Sequence, residues 1–355
     1  MHRSFFVCIV GAEAIKIATF VAQTPNILVI MTEPRTPRLR IVVGTCHDPY
    51  MNLAAESRLL DNYQPDTVTL FLWQNERTVV IGANQNPYSE CNVETLLADG
   101  GRLARRRTGG GAVYHDLGNL NFSFVADKRL YDVARQMRVV QEALRRFGLE
   151  TELSGRNDIT FEGRKFSGNA FGFTKWQGLH HGTLLIKTDS KQMARYLNVH
   201  QAKLQKHGVR SVAARVVNLS EVAAVTAENM VQPLVEAFQD VYAGRAQTVG
   251  FDTFCDDAAQ ALCRQIQSDD YLYARWRNFR AVRSAQFAWG RVDVDLHIDE
   301  AQGIIRSAAV ASDSLQPEAI AQAELLLQSA SITTAPAVPD GDSHDIVADI
   351  FSLIY

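Results

Sequence analysis

The pattern of apolar runs in this chain of 355 residues specifies an α+β protein: a mixed-sheet domain followed by a small α+β module. Three observations carry that expectation. Strand-like and helix-like segments are mixed without a regular βα alternation, which argues against a doubly wound sheet. Hydrophobic residues make up 46% of the chain, enough to bury a full core and to fill two domains. Between Asp269 and Arg280 the pattern loosens, then restarts with a cleanly alternating strand. The expected divisions are an extension over 1–37, a main domain over 38–270 and a small module over 280–355.

The elements follow in order. Residues 1–37 are expected to be an extension, untranslated or disordered. Phe5-Phe6-Val7-Cys8-Ile9-Val10 is apolar, but Glu13 and Lys16 interrupt the run before it reaches signal-peptide length, and Met31 is an alternative start. Asn52 to Leu60 has helical spacing. Thr67 to Trp73 and Thr78 to Ile81 are β-branched and aromatic runs, and Gln74-Asn75-Glu76-Arg77 between them suggests a hairpin. Phe122 to Val125 reads as a strand leaving a glycine loop. Tyr131 to Phe147 is helical, with Val133, Met137, Val140, Ala143 and Leu144 forming a stripe suited to core packing. Gly182-Thr183 leads into a strand at Leu184-Leu185-Ile186. Downstream, Val292 to Ile298 alternates as a half-buried strand, Glu300 to Gly303 turns into Ile304-Ile305, and Pro317 to Ser329 is helical. Thr333 to Ser343 reads as loop.

A net charge of −3 excludes a nucleic-acid-coating protein. No run is long and apolar enough to span a bilayer; Ile17 to Thr32 is broken by Gln23-Thr24-Pro25-Asn26. Cysteines at 8, 46, 91, 255 and 263 are odd in number and scattered. That fits free thiols in a reducing compartment, and without C-x-x-C spacing no structural zinc is indicated. A cytoplasmic location is expected, mitochondrial if the source is eukaryotic.

The chemistry concentrates in Arg105-Arg106-Arg107-Thr108-Gly109-Gly110-Gly111-Ala112-Val113-Tyr114-His115-Asp116. Glycines allow a backbone to approach a ligand and turn its N–H groups onto anionic oxygens. Arginines beside them match carboxylate or phosphate. The loop is neither a Walker A motif nor a G-x-G-x-x-G fingerprint. A second segment, Gly155-Arg156-Asn157-Asp158, precedes Gly163-Arg164-Lys165-Phe166-Ser167-Gly168-Asn169-Ala170, where Lys165 is suited to reach a buried ligand. Asp158 is a candidate to hold Mg²⁺ on a nucleotide phosphate. In His180-His181-Gly182-Thr183 the two histidines face opposite ways if extended, so one is expected at the ligand and the other in the structure. Gly208 to Leu219 brings two further arginines, Arg210 and Arg215, into an apolar segment.

Together with His47-Asp48-Pro49-Tyr50-Met51-Asn52-Leu53-Ala54, Phe71-Leu72-Trp73-Gln74-Asn75, Thr78-Val79-Val80-Ile81-Gly82 and Gln85-Asn86-Pro87, these segments resemble the lipoate–protein ligase A family from about Leu39 to the C-terminus. The resemblance implies a catalytic domain of biotin/lipoate ligase type and a C-terminal accessory domain. It implies adenylation of lipoate by Mg·ATP, then transfer of the lipoyl group to a lysine of lipoyl domains. These are the acyltransferase subunits of 2-oxoacid dehydrogenase complexes or glycine cleavage H protein. It also implies the roles. Lys165 is catalytic and contacts both ligands. Arg107, Gly109, Gly110, Gly111, Ala112, Val113, Tyr114 and His115 hold ATP or the adenylate. Arg106, Thr108, Trp73, Glu56, Val80 and His181 bind lipoate. Gly172 departs from members that carry an arginine near the ligand carboxylate, a role open to Arg106 or Arg107. No cysteine lies between Cys91 and Cys255, which disfavours a thioester route. The remaining alternatives are a transferase that uses preformed lipoyl-adenylate and a non-catalytic lipoate-binding paralogue. A monomer is the default, with no nucleic-acid or membrane partner.

Overall fold

The computed structural model describes residues 37–154, 157–198 and 216–355. The 1–36 part of the extension, Gly155, Arg156, Arg210 and Arg215 lie outside the described residues.

Eight strands form the main sheet: β1 (Arg38–Val43), β2 (Thr67–Trp73), β6 (Asn119–Asp127), β7 (Glu152–Ser154), β8 (Asp158–Phe161), β9 (Arg164–Phe173), β10 (Gln177–Leu185) and β11 (Ala246–Thr248). Their order is β11-β1-β2-β6-β10-β9-β8-β7. The first three run parallel and the rest pair antiparallel, so the sheet is mixed as expected. A second sheet holds β3 (Thr78–Ile81), β4 (Arg102–Arg105) and β5 (Val113–His115) in the order β4-β3-β5.

Side chains on a strand alternate between faces, and β2 shows the consequence. Val68, Leu70 and Leu72 join Phe122 and Phe124 in a core under helices Val133–Arg145 and Ala227–Tyr242. Phe71 and Trp73 face the other way, into a core shared with helices Pro49–Asp61 and Asp257–Ile266. Covered on both faces, β2 and β6 are buried along their whole length. Helix Pro49–Asp61 starts where Asp48 accepts from the Tyr50 and Met51 N–H groups and proline occupies its first turn, as sequence-level capping requires.

The expected hairpin does not form. β2 pairs with β1 and β6, whereas β3 pairs with β4 and β5 in the other sheet. Gln74 to Arg77 carries the chain between sheets, held by buried Asn75 and a left-handed Arg77 (φ 33°). The strand expected at Leu184 begins earlier, at Gln177.

The C-terminal module consists of β12 (Arg283–Gln286), β13 (Arg291–Asp299) and β14 (Ile304–Ser312), with helices Pro317–Leu327 and His344–Phe351 on one face. It docks on the main domain where the Ser312 N–H donates to the Asn84 carbonyl (3.0 Å) and Asn84 Nδ2 donates to the Pro317 carbonyl (3.0 Å). Arg275 and Glu324 add an ion pair. Among the described residues, no helix is long and apolar enough to cross a membrane.

Candidate active site

Polar side chains enter the core on the Trp73 face of the main sheet. On β6, Leu120, Phe122 and Phe124 alternate with Asn121 and Ser123, which share the Trp73 face of the sheet. His181 on β10 pairs with Ser123 across the ladder. Above them the second sheet contributes Val80, Val113 and His115. The space between is a pocket bounded also by Leu53, Trp73, Arg106, Gly110, Gly111, Lys165, Gly168, Ala170 and Thr183.

The floor is a directed hydrogen-bond network. Trp73 Nε1 donates to Ser123 Oγ (2.9 Å), which donates to Glu56 Oε1 (2.5 Å). His181 Nδ1 lies 2.8 Å from the same carboxylate oxygen, so Nδ1 carries the proton. His181 Nε2 lies 2.8 Å from the Thr108 hydroxyl, which joins the threonine to the same chain. Five expected lipoate-binding residues, Trp73, Glu56, Thr108, Arg106 and His181, are therefore physically connected; Val80 lines the wall beside them.

Arg106 is spoken for differently from what its residue type alone suggests. Its guanidinium donates to Thr108 Oγ1 and to the carbonyls of Val80, Gly109 and Gly111, at 2.7–3.2 Å. Its N–H groups shape the glycine loop, while its charge borders the pocket; burial lowers its pKa to about 10. Arg105 likewise spends its guanidinium on the Gly82, Ala83, Gln85 and Leu272 carbonyls.

Arg107 departs from its expected place at the nucleotide. It is exposed, pairs with Asp61 at 2.8 Å and lines a separate cleft with Tyr271 and Ile266. A residue two places from a turn's glycines can leave its neighbour's face, and here Arg106 points in and Arg107 out. Tyr114 and Ala112 also turn away, into the core of the small sheet.

The glycine loop is tight for steric reasons. A Cβ on Gly82 would lie 2.3 Å from the Gly110 carbonyl oxygen, and Gly110 itself has φ +91°. The Gly110 N–H donates to the Ser314 carbonyl of the C-terminal module (2.8 Å), a contact that no local pattern signals.

The state of His115 follows from its neighbours. Asn52 Nδ2 donates to the Cys46 and Gln74 carbonyls and to Asn75 Oδ1. Asn75 must then offer its Nδ2 to His115 Nδ1 (3.1 Å), which accepts. The proton sits on Nε2, which is buried without a hydrogen-bond partner at the pocket. Burial holds the ring neutral, with its pKa lowered to about 3. His115 thus borders the pocket as a neutral ring with one buried, unpartnered N–H.

Lys165 lies on β9 near a bulge, with its side chain across Gly168, where an added Cβ would come 3.0 Å from Nζ. Nζ pairs with Asp158 Oδ1 at 2.7 Å, bringing the expected lysine and the expected metal-binding carboxylate together. Gly172 lies against Thr108, with 3.2 Å between an added Cβ and the threonine methyl, so a side chain there would enter the Thr108 region. Ser123, Asn75, Asn121 and Asn169 were not singled out from sequence. The available signal was polar residues recurring every second position in an otherwise apolar strand.

Comparisons with known proteins identify the family. The lipoyl protein ligase A/B catalytic domain model matches residues 48–239. A lipoate-protein ligase A of Psychrobacter cryohalolentis is 37% identical over 321 residues, covering 88% of this chain and 91% of that protein. One of Bdellovibrio bacteriovorus is 37% identical over 291 residues, 80% of this chain and 85% of that one. P. falciparum LipL1 in complex with lipoate superimposes with a TM-score of 0.76 at 27% identity, covering 89% of this chain and 98% of that one. A lipoate-protein ligase A bound with ATP gives 0.55 at 27% identity, covering 68% and 98%. A Thermoplasma acidophilum bi-partite lipoate protein ligase, from a study with its E2 lipoyl domain, gives 0.57 at 27%, covering 68% and 95%. By sequence over most of its length and by the site it builds, this chain belongs to the lipoate–protein ligase A family.

Proposed function

We propose that the protein is an ATP-dependent lipoate–protein ligase that makes lipoyl-AMP and passes the lipoyl group to a lysine of a lipoyl domain. The observation that carries this reading is the convergence on one pocket of an apolar wall (Leu53, Trp73, Val80), the Lys165 ammonium and the unpaired Nε2–H of His115. Such a pocket suits an acyl chain at one end and an anion at the other. Relatives crystallised with lipoate and with ATP support the two ligands, and the archaeal ligase with its E2 lipoyl domain supports the acceptor class.

In the first step a lipoate carboxylate oxygen attacks the α-phosphorus of ATP, and the bond to pyrophosphate breaks. Two anions must meet, so the positive charges of Lys165 and Arg106 offset their repulsion. Gly110, Gly111 and Val113 form the backbone wall beside the nucleotide, and His115 borders it. The Glu56–His181–Thr108 chain orders the carboxylate end of the acyl pocket. In the second step an acceptor lysine attacks the acyl carbon, the bond to AMP breaks and an amide forms. Lys165 polarises the carbonyl, and the enclosed pocket keeps water from the adenylate. Mg²⁺, when bound, supplies further charge on the phosphates. Asp158 would hold it; among the described residues no cluster of three His, Cys, Asp or Glu is placed for a metal, which fits an ion completed by phosphate oxygens. Acyltransferase subunits of 2-oxoacid dehydrogenase complexes and glycine cleavage H protein are the acceptors we assign, with the enzyme a cytoplasmic monomer.

The test is pyrophosphate release from protein, Mg·ATP and lipoate without acceptor. Stoichiometric release on lipoate addition supports the ligase. No release, together with transfer from synthetic lipoyl-AMP to a lipoyl domain, would replace it with a transferase.

A further inference from the structure

Behind the pocket, on the opposite face of the main sheet, His180 is fully buried among the rings of Phe122, Phe124 and Phe171, with centroids 5.0–5.8 Å away. Its Nε2 lies 2.9 Å from Asn169 Oδ1, and its Nδ1 lies 3.0 Å from the side-chain amide of Gln136, whose oxygen is placed toward it. Two acceptors cannot both be served by a neutral imidazole, which has a single N–H. Amide oxygen and nitrogen are assigned from their surroundings, and two buried groups decide this one. Gln136 Nε2 has no partner, and Asn169 Nδ2 is held by the Asn157 carbonyl (2.9 Å), which leaves Asn169 Oδ1 facing His180 Nε2. His180 then keeps its proton on Nε2, and turning the Gln136 amide lets its nitrogen donate to Nδ1.

We infer that Gln136, His180 and Asn169 form a one-directional hydrogen-bond relay that positions the Asn157–Asp158 segment against Lys165. With Nδ1 accepting, His180 carries its proton on Nε2 and donates to Asn169 Oδ1. Asn169 must then turn its Nδ2 to the Asn157 carbonyl (2.9 Å), which also accepts from the Asn169 N–H (3.0 Å). Asn157 Nδ2 returns a bond to the Asn169 carbonyl. This clamp sits one residue before Asp158, the partner of Lys165. The opposite histidine tautomer would turn the Asn169 oxygen onto the Asn157 oxygen and open the clamp. Gly182, paired with Asn169 across the ladder, leaves the room: a Cβ there would come 2.4 Å from Asn169 Oδ1. The relay thus ties helix Val133–Arg145 to the ledge that carries the lysine.

The inference rests on the adenylation reading for its kinetic consequence, but the tautomer is read without any turnover. In ¹⁵N NMR of the histidine-labelled protein at pH 7, His180 is expected neutral with the proton on Nε2. A proton on Nδ1 would overturn the relay whether or not the protein adenylates lipoate. Gln136→Met removes the donor to Nδ1 and is expected to release the tautomer. Pyrophosphate release should then show kcat lowered about ten-fold, the scale of losing an outer-shell support, with KM for lipoate within about two-fold of the parent. A Gln136→Met protein with unchanged tautomer and unchanged kcat would refute the positioning role.

Discussion

Removing the Glu56 carboxylate tests the floor of the pocket most directly. The side chain is 4% exposed and accepts from both Ser123 and His181. A hydrogen bond to a charged group contributes about 1.5–3 kcal/mol, and a buried donor left without a partner costs about 1–3 kcal/mol. Glu56→Ala strands two donors and leaves a void, so about 3–5 kcal/mol of stability should be lost. For a domain of this size 1 kcal/mol moves Tm by about 2–4 °C, so a fall of roughly 10 °C is expected in a thermal melt. Glu56→Gln keeps an acceptor at the same place and should lose only about 1 kcal/mol. Its amide can still accept from His181 Nδ1, so lipoate binding should survive better than in the alanine variant. Two results would refute this account: a Glu56→Ala melt within about 2 °C of the parent, or a glutamine variant as damaged as the alanine one.

Lys165→Met should lower lipoate-dependent pyrophosphate release by about 10²–10³-fold, the scale for removing one charge-stabilising donor; release within ten-fold of the parent would remove the lysine from the chemistry. His115→Phe deletes the unpartnered N–H of a ring that borders the pocket, and calorimetry should show ATP binding weakened by about ten-fold or more with lipoate binding little changed. His115 and His180 are both held neutral by burial, with pKa values lowered to about 3. Between their unfolded value near 6.5 and about 3, the unfolded chain binds protons that the folded one does not. Urea unfolding should therefore show full stability above about pH 6.5 and a loss approaching ~1.4 kcal/mol per pH unit per histidine below it; a flat profile from pH 7 to 5 would contradict this. Gly109→Ala places a Cβ 2.1 Å from the Ser314 carbonyl oxygen, so the C-terminal module should undock and limited proteolysis should cut faster in the 277–282 connection; an unchanged digestion rate would show that the loop absorbs the methyl group.

Legibility in the sequence followed the range of the interactions. The Val133–Arg145 helix was readable because its stripe is a local periodicity that packing then uses. Lys165, the glycine loop and the opposed faces of His180 and His181 were readable because each depends on residue type and immediate neighbours. The Thr78–Ile81 strand was readable as a strand but not as a member of another sheet. Its partners, Arg102–Arg105 and Val113–His115, lie 20 to 40 residues away, and the intervening Gln74–Arg77 looks like any polar turn. The direction of Arg107 was equally hidden, since adjacent arginines are chemically alike until Asp61 takes one of them.

By itself the sequence determined the mixed α+β class of fold and pointed to the residue types from which an anion site could be built. Short-range chemistry suffices for these: apolar periods select strands and helices, and glycines with arginines and a lysine mark an anion site. Only the tertiary structure decided which amides and carbonyls meet His115 and His180, and that Arg106 supports the loop while Arg107 leaves it. It also decided that the Gly110 N–H meets the C-terminal module. Those outcomes depend on amides, carboxylates and carbonyls brought together from distant segments, because a buried polar group settles its state by the partners that folding gives it.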